Sequence, residues 1–302
     1  MTAGARAVVM ACTLAVAWGS AHAQNGPLPD RDAFYRRVRE NLARAERANH
    51  LYTYKERRTD VHTNPFGRLG TGGVSLYDVY PSPVRQLVYR RLVERNEEPI
   101  AATELIRQDG EYRGRVTAVL RERGARGPED AELVDAEARR TRERRERAIT
   151  DVVDALEFTT KGRATYNGVP AVVVTFKPKS GATPATRQGR TAQKFAGTVW
   201  IDEQAAEVMH LEATSIEDIS YGLGLVARLD TGTTATVTRQ PVGDGIWMPT
   251  ELALSGRGRA VLFRRLVVDF SIRWFDYRRL PDDLLAPFLD ARVHRKAGGG
   301  PQ

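Results

Sequence analysis

Four of the five histidines lie beyond residue 23: His50, His62, His210 and His294. Metal binding needs such residues clustered at ligand spacing or completed by cysteines, and a histidine base needs a nucleophile within reach. None of the four is paired at that spacing, and the single cysteine, Cys12, sits near the N-terminus. The chain has no G-x-S-x-G elbow and no HExxH helix motif. Gly222-x-Gly224-x-x-Ala227 matches a dinucleotide fingerprint in spacing, but Asp230-Thr-Gly-Thr and a β-rich run follow it where the fingerprint requires a helix. Residues 67–73 are glycine-rich and lack the Lys-Ser/Thr of a phosphate loop. Neighbouring carboxylates (Asp202/Glu203, Glu217/Asp218, Asp282/Asp283) have the positions of turn-flanking residues. His210 alternates with Met209 and Leu211, which places it on the opposite face of a strand beside Glu212. No residue is therefore assigned a catalytic role, and no metal or cofactor is expected. The expectation is a non-enzyme, with an envelope hydrolase as the alternative.

The N-terminus supplies an address. Arg6 is followed by an uncharged apolar run over residues 7–18, and Ala21-His22-Ala23 forms a small-x-small site that predicts cleavage between Ala23 and Gln24. Twelve apolar residues are too few for a membrane-spanning helix, which takes roughly 20, and no other run is long enough, so no transmembrane anchor is expected. Acylation at Cys12 is the competing reading. It fits less well, because Met10 occupies a position that usually takes a small or β-branched residue. Cleavage leaves a chain with no cysteine, hence no disulfide, in the periplasm or outside the cell. Net charge is +8, nearly all of the excess arginine spread along many segments. That distribution reads as a solvated surface, and export argues against nucleic acid as a partner.

The elements that would position any site follow from hydrophobic period. Residues 32–49 predict an amphipathic helix with Phe34, Val38, Leu42 and Ala45 on one face and Asp30 or Asp32 as cap. Strand-like runs follow at 51–61, 73–80, 84–94 and 103–112. Residues 128–158 predict a helical insertion whose Arg139–Arg147 run is nearly all charge, read as a solvated face. Beyond residue 161 strand follows strand: around 169–176, then 198–202, 207–214, 225–238, 246–256 and 259–277, with 177–193 a polar, mobile loop. In the last strand Leu262, Leu266, Val268, Phe270, Ile272 and Trp274 share one face. Arg265, Asp269, Ser271 and Arg273 share the other. One wet face and one buried face predict antiparallel sheet. The fold class expected is mainly β (α+β): a strongly curved antiparallel sheet, an unclosed half-barrel of about ten strands, with covering helices. Residues 24–280 are expected to form one half-barrel domain, and 281–302 a partly disordered tail.

Several runs carry a resemblance. Gly197-Thr-Val-Trp200-Ile201-Asp202, the strand opening at Glu207-Val-Met-His-Leu-Glu212, and the strand Tyr166-Asn-Gly-Val-Pro-Ala-Val-Val-Val-Thr-Phe176 resemble the periplasmic lipoprotein-carrier superfamily of LolA, LolB, LppX and RseB-type half-barrels. Trp247-Met248-Pro249 and Phe275-Asp-Tyr-Arg-Arg-Leu280 look like larger lipoprotein-sorting-like proteins. The resemblance implies a helical lid over a hydrophobic cavity that binds a lipid, an acyl chain or a lipoprotein. Trp200, Leu262, Phe270 and Trp274 are the candidate lining residues. The RseB-type relatives imply an alternative, a sensor or scaffold contacting an envelope protein partner. The central arginine-rich insertion is not typical of the small carriers.

Overall fold

A computed structural model describes residues 26–63, 73–82, 88–125, 140, 143–144, 147–221, 227–260 and 264–281. The expected cleavage site at Ala23 and Gln24, Leu262, most of the Arg139–Arg147 run and the tail after residue 281 lie outside the described residues.

Helix α1 (Arg31–Ala48) starts where Asp30 caps it, its carboxylate accepting a 2.9 Å bond from the Ala33 amide. That bond satisfies one of the donors a helix N-terminus leaves free. Phe34, Val38 and Ala45 are buried along one face, as their spacing predicts. Strand β1 (Tyr52–Thr63) follows, then β2 (Gly73–Tyr80), β3 (Tyr89–Arg95) and the two-residue β4 (Glu98–Pro99).

Helix α2 (Ala102–Ala125) corrects the strand expected over 103–112. Gly110 and Gly114 sit in its interior and lower its intrinsic propensity by about 1 kcal/mol each relative to alanine. Tertiary anchoring outweighs that cost. Gln108 accepts from the Leu92 amide at 2.9 Å and donates to the Leu92 carbonyl at 3.3 Å, so its amide continues the hydrogen-bond ladder along the open edge of β3. Asp109 receives Arg91 at 2.9 and 3.1 Å as well as the Tyr89 hydroxyl, and Tyr112 stacks on Tyr89 with ring centroids 4.2 Å apart. Burial and the Asp109 carboxylate push the Tyr89 hydroxyl up to about 12.

Within the expected insertion the described residues 147–154 form helix α3. Strand β5 (Leu156–Tyr166) begins inside the predicted helical span. Next come β6 (Val169–Pro178) and the short helix α4 (Arg187–Ala192). Helix α4 interrupts the loop expected over 177–193. Asp151 of α3 accepts the amides of Ala185 and Thr186 at 3.0 and 2.8 Å, which holds that loop down. The remaining strands are β7 (Phe195–Asp202), β8 (Val208–Ser215), β9 (Ile219–Tyr221), β10 (Ala227–Leu229), β11 (Thr234–Gly243), β12 (Ile246–Ala260) and β13 (Arg264–Arg279). The single strand predicted over 225–238 is two, separated by a turn in which Gly232 takes φ +88°. Arg259, expected to open the last strand, instead lies near the end of the one before it, which runs to Ala260.

Among the described residues all pairings are antiparallel, in one sheet of 13 strands ordered β4-β3-β2-β1-β13-β12-β11-β8-β7-β6-β5, with β10 on β12 and β9 on β10. The two ends of this order do not meet, so the half-barrel stays open. Helix α1 covers one face over β5–β8, where Phe34 and Val38 pack on Val172, Val174, Phe176, Val199, Ile201 and Ala213. A second cluster of Ala45, Tyr52, Ile246 and Met248 secures the end of the helix. Cross-strand spacing is tight beneath α1: a Cβ on Gly197 would stand 2.8 Å from the Phe176 ring and 2.0 Å from the Glu212 carbonyl oxygen.

Candidate functional site

The register sorts side chains into two faces. One row runs Arg58, Ile272, Leu252, Val237, Leu211, Val199, Val174 across seven neighbouring strands. The next runs Asp60, Phe270, Leu254, Ala235, Ala213, Gly197, Phe176. These rows share the face that α1 covers, the inner face. Over β6 and β7 their members are buried in the core beneath the helix. Over β12 and β13 the burial is uneven: Ile272 is buried, whereas Leu252, Leu254, Leu266, Val268, Phe270 and Trp274 are half-buried.

Of the expected lining residues, Phe270 and Trp274 therefore stand together on the inner face. Trp200 does not. It lies opposite His210, in the row that continues through Thr238, Glu251, Arg273 and Arg57, all on the outer face. Strand alternation explains the separation, because Trp200 falls between the inward Val199 and Ile201. There Trp200, Tyr166 and His210 form an aromatic cluster, with Tyr166 stacked on His210 at 5.1 Å and Trp200 5.5 Å from it. The His210 ring is held by the Thr238 hydroxyl at 3.0 Å and Glu212 at 3.2 Å. A cleft of about 660 Å3 bordered by Arg57, Thr238, Gln240, Glu251, Arg273 and Phe275 continues this row.

The inner face also carries charge that sequence reasoning missed. Glu56 is fully buried. Its carboxylate accepts from Arg58 Nη2 at 3.0 Å and from the Trp274 indole at 3.0 Å, and Arg90 Nε lies 3.5 Å away. The Arg58 guanidinium stands over the Phe270 ring at 5.7 Å. The available signal was alternation itself: Glu56 follows Tyr52 and Tyr54 at intervals of two, on the face that points inward. A second buried pair joins Arg239 to Glu207 at 3.2 Å, where Arg44 of α1 also reaches Glu207 at 3.4 Å and the Gly245 carbonyl at 3.0 Å. Burial pushes the Glu207 carboxyl up, against the opposing pull of both arginines. This pair ties α1 to β8, β11 and the β11–β12 turn.

Of the carboxylate pairs noted in the sequence, Asp282/Asp283 lies outside the described residues, while Asp202, Glu203 and Asp218 have structural partners. Asp202 accepts the amides of Gln204 and Ala205 at 2.9 and 2.8 Å. Glu203 binds Arg163 at 2.9 Å, and Asp218 binds Arg228 Nε at 2.6 Å. Among the described residues no helix is long and apolar enough to cross a membrane.

No protein-family model matches the chain, and no curated protein matches it. Among solved structures it is similar to a DUF1329 family protein from Desulfovibrio piger, with 13% identity over 83% of this chain and 95% of that one and a TM-score of 0.27. A LolA superfamily protein from Nitrosomonas europaea shows 9% identity over 81% and 96%, TM-score 0.27. An outer membrane lipoprotein-sorting protein domain from Vibrio parahaemolyticus shows 8% identity over 82% and 97%, TM-score 0.28. At such scores the likenesses carry no argument about what this chain binds.

Proposed function

We propose that this chain is a non-catalytic protein of the cell envelope that takes up an acyl chain, free or as part of a lipid or lipoprotein, on the uncovered part of its inner face. One observation supports the reading above the others. Among the described residues, the apolar rows that are packed under α1 at β6 and β7 continue with less burial over β12 and β13, where Phe270, Leu254, Leu252 and Trp274 are half-buried. Transfer of an acyl chain to such a surface is favourable by about 0.8 kcal/mol per methylene removed from water. Export through the N-terminal segment, with cleavage after Ala23, belongs to the same proposal.

Protein purified from the secretory compartment is expected to carry acyl lipid detectable by native mass spectrometry and by organic extraction. The emptied protein is expected to enhance the fluorescence of a hydrophobic dye. Phe270→Asp should abolish that enhancement while circular dichroism and the unfolding midpoint stay near wild type. Leu254→Asn, directly across the ladder from Phe270, should weaken it. A clean protein that leaves the dye dark sinks the reading. So does a Phe270→Asp variant that simply unfolds, because that outcome marks a filled core.

A partner-protein reading draws on the opposite end of the sheet. Strand β5 is terminal in the strand order and is 11 residues long, so one side of it is available for strand addition. Replacing Thr165 with Pro would block capture of a partner strand there and leave dye uptake untouched.

A further inference from the structure

The uncovered part of the inner face is not neutral. Two guanidiniums, those of Arg58 on β1 and Arg90 on β3, share one carboxylate, Glu56, which is 1% exposed at its side chain against 35% for Arg58 and 51% for Arg90. Both arginines therefore reach solvent on the face where Phe270 and Trp274 lie. A guanidinium has five N–H donors. Arg58 commits Nη2 to Glu56, and its Nε is buried with no hydrogen-bond partner. The Trp274 indole is bonded with Glu56, and Asp60 has an interaction of its own. Beside an apolar surface, the exposed guanidinium N–H groups that Glu56 does not take can bind carboxylate or phosphate through short charge-assisted bonds.

We propose that the ligand is an anionic single-chain amphiphile, its carboxylate or phosphate held between Arg58 and Arg90 and its chain lying over Phe270, Leu254 and Leu252. The inference rests on the acyl-binding reading above and narrows it: a neutral acyl chain leaves unused those N–H donors of the two guanidiniums that Glu56 does not take.

The test uses the full chain as secreted, emptied of lipid, with cis-parinaric acid and its methyl ester as paired fluorescent probes. The two differ in charge and share the chain. The acid is expected to bind roughly tenfold more tightly than the ester, the size of a charge-assisted hydrogen bond. Arg90→Gln, at a half-exposed position, should remove most of that preference and leave ester affinity unchanged. The double variant Arg58→Gln/Glu56→Gln, which removes both signs together and so leaves no stranded buried charge, serves as the second test and should act the same way. Displacement of the bound acid by palmitate or by palmitoyl lysophosphatidate then tells a carboxylate source from a phosphate one, and either supports the proposal. Equal binding of acid and ester by the wild-type chain overturns it while the acyl-binding reading stands. Acid preference that survives both variants overturns it as well. Binding of neither probe removes the acyl-binding reading itself.

Discussion

Glu56 shows what one residue does when strand parity turns it inward. A carboxylate removed from water loses solvation worth several kcal/mol, and it persists only where donors replace the lost water. Arg58, Arg90 and the Trp274 indole are those donors. Breaking such a pair from one side is more damaging than removing both partners. Glu56→Ala is therefore expected to cost about 3 kcal/mol in urea unfolding, and Glu56→Gln less, because the amide oxygen still accepts from the indole. In the sequence Glu56 sits in Lys55-Glu56-Arg57-Arg58 and has the look of a solvated residue. Only the tyrosines two and four positions before it hint at its side of the strand. Phe270 and Trp274 were legible as inward residues because five apolar side chains repeat at intervals of two along β13. Trp200 was not, since an isolated Trp flanked by Val and Ile offers no parity of its own until the partner strands are known.

Elements show local propensity yielding to contacts. In α2 a Cβ at Gly110 or Gly114 meets nothing within 4 Å. Gly110→Ala and Gly114→Ala should each stabilise the helix, by up to about 1 kcal/mol, seen as a higher thermal midpoint or slower amide exchange around Asp109 and Tyr112. The β9–β10 hairpin depends instead on charge. Arg228 first, then the Thr231 amide and hydroxyl, hold the Asp218 carboxyl below the usual carboxylate range. A carboxyl with a lowered pKa in the folded state contributes stability that is present above its unfolded value, near 3.9, and lost as pH falls through the folded value. Amide exchange in β10 and in the turn after it should therefore be slow at pH 5 and rise as pH drops below about 4, and Asp218→Asn should remove that pH dependence. The α1 cap was readable as Asp30 or Asp32, and the structure selects Asp30. The α2 strand-to-helix correction was not, because what decides it is Gln108 and Asp109 meeting β3.

At the scale of the whole molecule, the first strand pairs with the last. β1 lies between β2 and β13, with a register running from Tyr52 opposite Arg279 to Thr63 opposite Val267. Without β13, both β1 and β12 lose a neighbour and the inner rows are cut in two. A chain ending at Ala260 is expected not to fold, giving no cooperative urea transition, whereas one ending at Pro281 should unfold as the full chain does. Pairings this distant in sequence also predict slow refolding, on the order of milliseconds to seconds.

Alternation, period and turn chemistry are local properties, and they determined most of this protein without help: α1 and its cap, the antiparallel character of the sheet, the inward face of β13 and the absence of a recognisable catalytic motif. The tertiary structure alone decided which strand lies beside which. That ordering placed Trp200 outside, turned 103–112 into helix, and brought Glu56, Arg58 and Arg90 from two distant strands onto one apolar face. The reason is physical: a strand's sequence specifies which residues share a side, but the identity of its neighbours, and so the chemistry of the surface they build, depends on hydrogen-bonded pairing between segments that, for β1 and β13, lie more than 200 residues apart.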